Sequence, residues 1–208
     1  FLGCPSWNDA AWRGSLYRRD AERWCSFHTD QNRAMTTDNG IRDIVFSEET
    51  IHARVLELGR EITKAYAPSD RLLVIGVLKG SFLFLADLVQ AIDVPHEVDF
   101  LVASSYGNAM VSSGEVMLLY DPETELTGRP VLLVEDIVET GTTLSTLIPR
   151  LTKRGASSID VVTLLHKRLT AGELEPRWVG FDAPNSFLVG YGLDHAGAFR
   201  HLPYIASL

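Results

Sequence analysis

The residues best suited to chemistry are concentrated between positions 131 and 144: the adjacent acids Glu135 and Asp136, then Glu139, then Thr140-Gly141-Thr142-Thr143. Paired carboxylates suit the hydroxyls of a sugar or a Mg²⁺ ion, a hard cation that takes oxygen ligands. Hydroxyls around a glycine suit an oxyanion, because glycine lets backbone N–H groups approach a ligand closely. Val131-Leu132-Leu133-Val134 precedes the acids and reads as a buried strand, while Leu144, Leu147, Ile148 and Leu151 recur at helical spacing after the loop. The acids therefore stand at a strand's carboxyl end, where open α/β sheets bind ligands. The hydroxyl run opens a helix, whose unpaired N–H groups and positive dipole end favour a phosphate. The plain alternative is an ordinary βα turn with a chance Glu-Asp pair.

Other strands must bring partners to that point. Ser47 is a candidate N-cap with Glu48 and Glu49 behind it, and Ile51, Val55, Leu58 and Ile62 mark one face of a helix ending near Ala67-Pro68. Arg71 to Leu78 is a continuous apolar strand that delivers Lys79-Gly80-Ser81 at its carboxyl end, before an apolar helix through about Ile92. Glu97 to Ser104 is a further strand, followed by Ser105-Tyr106-Gly107-Asn108, a loop over about 109–114 and a return strand over Glu115–Tyr120. Ile159 to Leu165 leads into His166-Lys167-Arg168, and the C-terminal part carries Phe187-Leu188-Val189-Gly190-Tyr191-Gly192-Leu193-Asp194 and then Phe199-Arg200. Taken singly, Lys79 and Lys167 read as solvated lysines, and Phe187 and Leu188 as core.

The strand, acid pair, hydroxyl loop and helix together resemble the phosphoribosyl pyrophosphate (PRPP) motif of the type I phosphoribosyltransferases. Leu-Lys-Gly-Ser at 78–81 resembles the pyrophosphate loop of the purine members, which implies a non-proline cis peptide at Leu78–Lys79. Leu-Leu-x-Lys-Arg resembles the segment whose lysine reads a purine 6-oxo group, here Lys167. Phe-x-Val-Gly-Tyr-Gly-Leu-Asp with a later Phe-Arg resembles the purine-binding hood. From about Ile41 to Leu208 the resemblance is to the hypoxanthine-guanine phosphoribosyltransferases, all segments being in the expected order.

The resemblance implies an α/β fold, a doubly wound and mostly parallel sheet with a small hood built from the C-terminal and N-terminal segments. It implies transfer of phosphoribosyl from PRPP to N9 of hypoxanthine or guanine, with Mg²⁺ as cofactor. Glu135 and Asp136 would hold the ribose and, with Asp194, the metal. Thr140, Gly141, Thr142 and Thr143 would hold the 5′-phosphate, and Lys79, Gly80 and Arg200 the pyrophosphate. Lys167, Phe187, Leu188 and Asp194 would bind the purine, and Ser105 and Tyr106 would begin a mobile loop that closes over the reaction centre. Glu139 is a departure, because the family usually has Asp there as the proposed base at purine N7. Glutamate keeps the chemistry but adds a methylene, and a general base must first be within reach. The resemblance further implies a homodimer or homotetramer. Two rivals are a non-catalytic PRPP-sensing regulator and a phosphoribosyltransferase preferring xanthine or another base.

With 208 residues the expectation is one domain with a full core. A formal net charge of −8 argues against a nucleic-acid partner, and no apolar run is long enough to span a bilayer. Cys4 and Cys25 are too few for a disulfide framework, so a reducing compartment is the default. Residues 1–34 mix Trp7, Trp12 and Trp24 with arginines but lack periodicity, and are expected to be an extension or leader, with the transferase domain over 35–208. The closing Ala206-Ser207-Leu208 lacks the basic middle residue of a peroxisomal signal, leaving the cytoplasm as the expected location.

Overall fold

The computed structural model describes residues 40–67, 71–105, 116–168 and 175–208. The elements in chain order are β1 (Ile44–Phe46), α1 (Glu48–Tyr66), β2 (Leu72–Leu78), α2 (Phe82–Ala91), β3 (His96–Ser105), β4 (Val116–Tyr120), β5 (Pro130–Val138), α3 (Thr142–Lys153), β6 (Ser158–His166), β7 (Trp178–Asp182), β8 (Leu188–Val189) and β9 (Ile205–Ser207). The expectations about residues 1–34, the two cysteines, Tyr106 and the 109–114 loop lie outside the described residues.

The continuous apolar runs form a six-stranded sheet in the order β4-β3-β2-β5-β6-β7. It is parallel except for β4, which returns antiparallel to β3. Alternate residues of each strand serve opposite faces. On one face Leu72 and Val74 of β2, Leu132 and Val134 of β5 and Val162 and Leu164 of β6 meet α1 through Ile51, Val55, Leu58 and Ile62, and α2 through Phe84, Leu85 and Leu88. On the other, Leu73, Ile75, Val77, Val131, Leu133 and Val161 meet Leu144, Leu147 and Leu151 of α3. Helices on both faces explain why these strands are apolar throughout instead of alternating.

Ser47 caps α1 as its sequence suggests, its Oγ accepting a 3.3 Å hydrogen bond from the Thr50 N–H, and the helix ends at Ala67. The hood is a separate three-stranded sheet in the order β1-β9-β8. Arg42 N–H bonds to Ser207 O at 2.9 Å, and Leu208 N–H to Phe187 O at 3.0 Å, so the C-terminal segment lies between the segment just before α1 and that of Phe187 and Leu188 and ties the two together.

Successive strands run outward from β2 in one direction, to β3 and β4, and from β5 in the other, to β6 and β7. The order therefore reverses between β2 and β5. A crevice opens outside the carboxyl ends of the strands at such a switch point. Lys79 follows β2 there, and Glu135 and Asp136 lie near the end of β5.

Candidate active site

A cleft of about 580 Å³ occupies that switch point. Its floor is the loop after β2, with Lys79 and Gly80, and the end of β5, with Glu135, Asp136 and Glu139. Lys167 enters from β6, Thr143 from the start of α3, and Phe187, Leu188, Asp194 and Arg200 from the hood segment. All of these were singled out from sequence, and they line one cavity.

The acids are pressed against the β2 loop. A Cβ placed on Gly80 would stand 1.6 Å from Asp136 Oδ2 and 2.5 Å from its Cγ, so only glycine leaves room for this carboxylate. Asp136 Oδ1 accepts the Ile137 N–H at 2.9 Å. Glu135 is buried, and its Oε2 has no hydrogen-bond partner. Burial pushes the Asp136 carboxyl up to about 6 against the pull of its backbone bonds and of Arg200. Burial, and then the neighbouring Asp136, push Glu135 well above the usual carboxylate range. Two acids desolvated in this way are a site for cations or hydroxyl donors that the protein itself does not supply. Among the described residues no group of three or more His, Cys, Asp and Glu is arranged to hold a metal alone. The Leu78–Lys79 peptide bond is cis.

Strand register sets the next pair. Val138 of β5 is opposite His166 of β6, so the residues that follow, Glu139 and Lys167, leave the sheet side by side. The Lys167 N–H bonds to Val138 O at 2.9 Å, and the Lys167 ammonium forms an ion pair with Glu139 Oε1. Lys167 is nearly buried, at 9% side-chain exposure, whereas Glu139 is half exposed at 49%.

The loop from Thr140 to Thr143 starts α3 with Gly141 in the left-handed region, at φ 75°, and no atom near its Cβ direction within 4 Å. Thr140 and Thr142 exchange a 2.8 Å hydroxyl contact on the exposed side. In the hood, Arg200 is held by a 2.5 Å ion pair to Asp194 and donates to Gly192 O at 2.6 Å. Asp194 also accepts the Gly197 N–H at 2.7 Å. Phe187 is exposed at 53%, with His195 edge-on at 5.2 Å, whereas Leu188 is buried. Ser105 belongs to β3, paired with Val116, and is not the first loop residue that the sequence suggested.

Several lining residues carry no signal in the sequence. Ile137 and Leu119 look like ordinary strand residues, yet both face the cleft. Gly192 is part of a recognisable segment, but its packing is invisible there: a Cβ on it would meet Gly80 O at 2.0 Å.

A model of the phosphoribosyl transferase domain matches residues 46–196, which takes in the β2 loop, both acids, the hydroxyl loop, Lys167 and Asp194. The chain belongs to the phosphoribosyltransferase family. The hypoxanthine-guanine phosphoribosyltransferase of Bacillus subtilis (strain 168) is 47% identical over 169 residues, or 81% of this chain and 93% of that protein. The hypoxanthine phosphoribosyltransferase of Escherichia coli (strain K12) is 42% identical over 168 residues, covering 80% of this chain and 94% of that one. Among solved structures, a hypoxanthine phosphoribosyltransferase from Staphylococcus aureus matches with a TM-score of 0.78 at 38% identity, over 84% of this chain and 96% of that chain. The doubly wound sheet and its hood are thus the type I phosphoribosyltransferase fold expected from the sequence.

Proposed function

We propose that this phosphoribosyltransferase moves the 5-phosphoribosyl group of PRPP onto N9 of hypoxanthine or guanine, releasing pyrophosphate and forming IMP or GMP. The observation that carries this reading is the meeting, in one cleft, of a desolvated acid pair, a lysine-glycine loop with an arginine, and a second lysine together with an exposed aromatic ring. Each suits one part of the reaction. Glu135 and Asp136 accept the ribose hydroxyls. The amides and hydroxyls of Thr140, Gly141, Thr142 and Thr143 hold the 5′-phosphate.

The bond from C1 to pyrophosphate breaks as the bond to N9 forms, and positive charge develops on the ribose. Lys79, the Gly80 amide and Arg200 take up the negative charge on the departing pyrophosphate. Lys167 donates to the purine 6-oxo group, Phe187 lies on the ring, and the Leu188 backbone meets its edge. Glu139 takes the proton from N7. Ser105 and Tyr106 lead into the loop that keeps water from the activated sugar.

The orphaned Glu135 oxygen and the two desolvated carboxyls fit a Mg²⁺ shared with substrate, since Mg²⁺ typically takes one or two carboxylates plus phosphates and keeps several waters. Glu135 and Asp136 would hold it, and Asp194 would join them once Arg200 is drawn onto pyrophosphate. Held by these residues, Mg²⁺ would supply positive charge against the leaving group.

A pH dependence follows from the acids. A carboxyl that holds its proton more tightly in the folded chain than in the unfolded one contributes stability below the unfolded pKa of about 4. For Asp136 that contribution is lost as pH rises through the folded value of about 6. Without ligand, Asp136→Asn should therefore gain stability over the wild type as pH rises from about 4 to about 7, by roughly 1–3 kcal/mol, read from thermal melts. A constant difference across that range would mean that Asp136 is not desolvated.

The base subsite is tested by Lys167→Ala. KM for hypoxanthine should rise by about ten- to a hundredfold with KM for PRPP little changed. An equal rise for both substrates would make Lys167 a structural residue.

A homodimer or homotetramer in the cytoplasm belongs to the same reading. Val98 and Phe100 on β3 and Tyr120 on β4 are large apolar side chains left exposed, as a subunit contact requires. Among the described residues no helix is long and apolar enough to cross a membrane.

A further inference from the structure

Tyr191 and Asp87 do not line the cleft, yet the Tyr191 hydroxyl donates a 2.6 Å hydrogen bond to Asp87 Oδ2. Asp87 is in the middle of α2, the helix that starts just after Lys79-Gly80-Ser81. Tyr191 is buried between two glycines of the hood segment. Gly190, Tyr191 and Gly192 all have positive φ, at 97°, 46° and 99°. Glycine takes such angles freely, but a bulky side chain does so only where its surroundings hold it there. Asp87 supplies such a hold. Burial, and then the Asp87 bond, raise the Tyr191 phenol above its ordinary value, so it stays protonated and donating.

The effect is passed to the neighbours of Tyr191. The turn seats Gly192 directly against Gly80 O, where no Cβ would fit. Gly192 O accepts from Arg200 Nη1 at 2.6 Å, and the Gly192 N–H donates to Arg200 O at 3.0 Å. A continuous set of contacts thus runs from α2 through Tyr191 and Gly192 to Arg200. Phe187 and Leu188 are held by other means, since β8 pairs with β9 and Phe187 O accepts from Leu208.

We infer that Tyr191 and Asp87 form a positioning latch that fixes Arg200, through Gly192, beside the Lys79-Gly80 loop, and so sets the affinity for pyrophosphate without setting that for the purine. The inference rests on the reading of that loop and Arg200 as the pyrophosphate subsite.

Pyrophosphate binding by calorimetry with Mg²⁺, together with initial rates, tests it on wild type, Tyr191→Phe, Asp87→Asn and the double variant. Tyr191→Phe should bind pyrophosphate about tenfold more weakly and raise KM for PRPP in parallel, with KM for hypoxanthine unchanged. Asp87→Asn keeps an acceptor and should retain most of the affinity. The double variant should be no weaker than Tyr191→Phe alone, because both changes remove one interaction. Should Tyr191→Phe fail to fold, Asp87→Ala gives the same readout with the tyrosine in place.

Unchanged pyrophosphate affinity in a folded Tyr191→Phe, or an equal loss for purine and pyrophosphate, would overturn the latch. A wild type that forms no nucleotide yet binds pyrophosphate more tightly than Tyr191→Phe would overturn the proposed reaction and support the latch. A wild type that does not bind pyrophosphate would overturn both.

Discussion

Gly80→Ala is expected to lower kcat/KM for nucleotide formation by about a hundredfold or more while the protein remains folded. The added methyl would overlap Asp136, at 1.6 Å from Oδ2 and 2.5 Å from Cγ. Asp136 cannot simply swing aside, because its Oδ1 holds the Ile137 N–H and its neighbour Glu135 is packed in the buried end of β5. Either the β2 loop lifts, carrying the Lys79-Gly80 amides off the proposed pyrophosphate subsite, or the acid pair leaves the proposed ribose subsite. Both routes remove groups aimed at charge that develops only as the bond to pyrophosphate breaks, so turnover suffers more than fold. Steady-state kinetics beside a thermal melt check this. A folded Gly80→Ala with wild-type kcat/KM would show that the loop and the acid pair do not act on the same reaction.

Glu139→Gln is expected to reduce kcat by about 10²- to 10³-fold with PRPP affinity little altered, the lower part of the range of about 10²–10⁴ typical of general acid–base catalysis. Glutamine preserves length and hydrogen bonding but cannot take a proton. It also removes the counter-charge of Lys167, which is nearly buried and paired with Glu139 in the free protein. That pairing gives the extra methylene of glutamate a use: it carries the carboxylate across to the lysine that β6 presents. Glu139→Asp is the informative companion, since it restores the residue usual in the family while shortening that reach. Turnover unchanged in Glu139→Gln would assign the N7 proton to water or Lys167.

The central motif is readable because it is long and self-consistent. A fully apolar strand, two acids, a glycine with hydroxyls and a helical repeat each constrain the next, and the structure runs β5 through Val138 and starts α3 at Thr142. The hood sheet is less readable in detail: β1, β8 and β9 have three, two and three residues, too few for any period to show. In the sequence β7 is only an apolar patch around Trp178, yet it closes the edge of the main sheet. The Glu139–Lys167 pair depends on the register that sets Val138 opposite His166, and the Tyr191–Asp87 bond joins residues 104 apart in sequence. Such contacts arise from strand order and packing, which a linear pattern does not encode.

The most direct test of the proposed function is nucleotide formation from PRPP and Mg²⁺ with hypoxanthine, guanine, xanthine, adenine and uracil offered separately, beside a control without metal. The expected result is metal-dependent IMP and GMP, with no product from adenine or uracil, because the proposed role of Lys167 is to donate to a 6-oxo group that adenine lacks, and the proposed stacking on Phe187 is for a purine. Product from adenine or uracil in preference to the 6-oxopurines, or no product from any base while PRPP still binds, would contradict it.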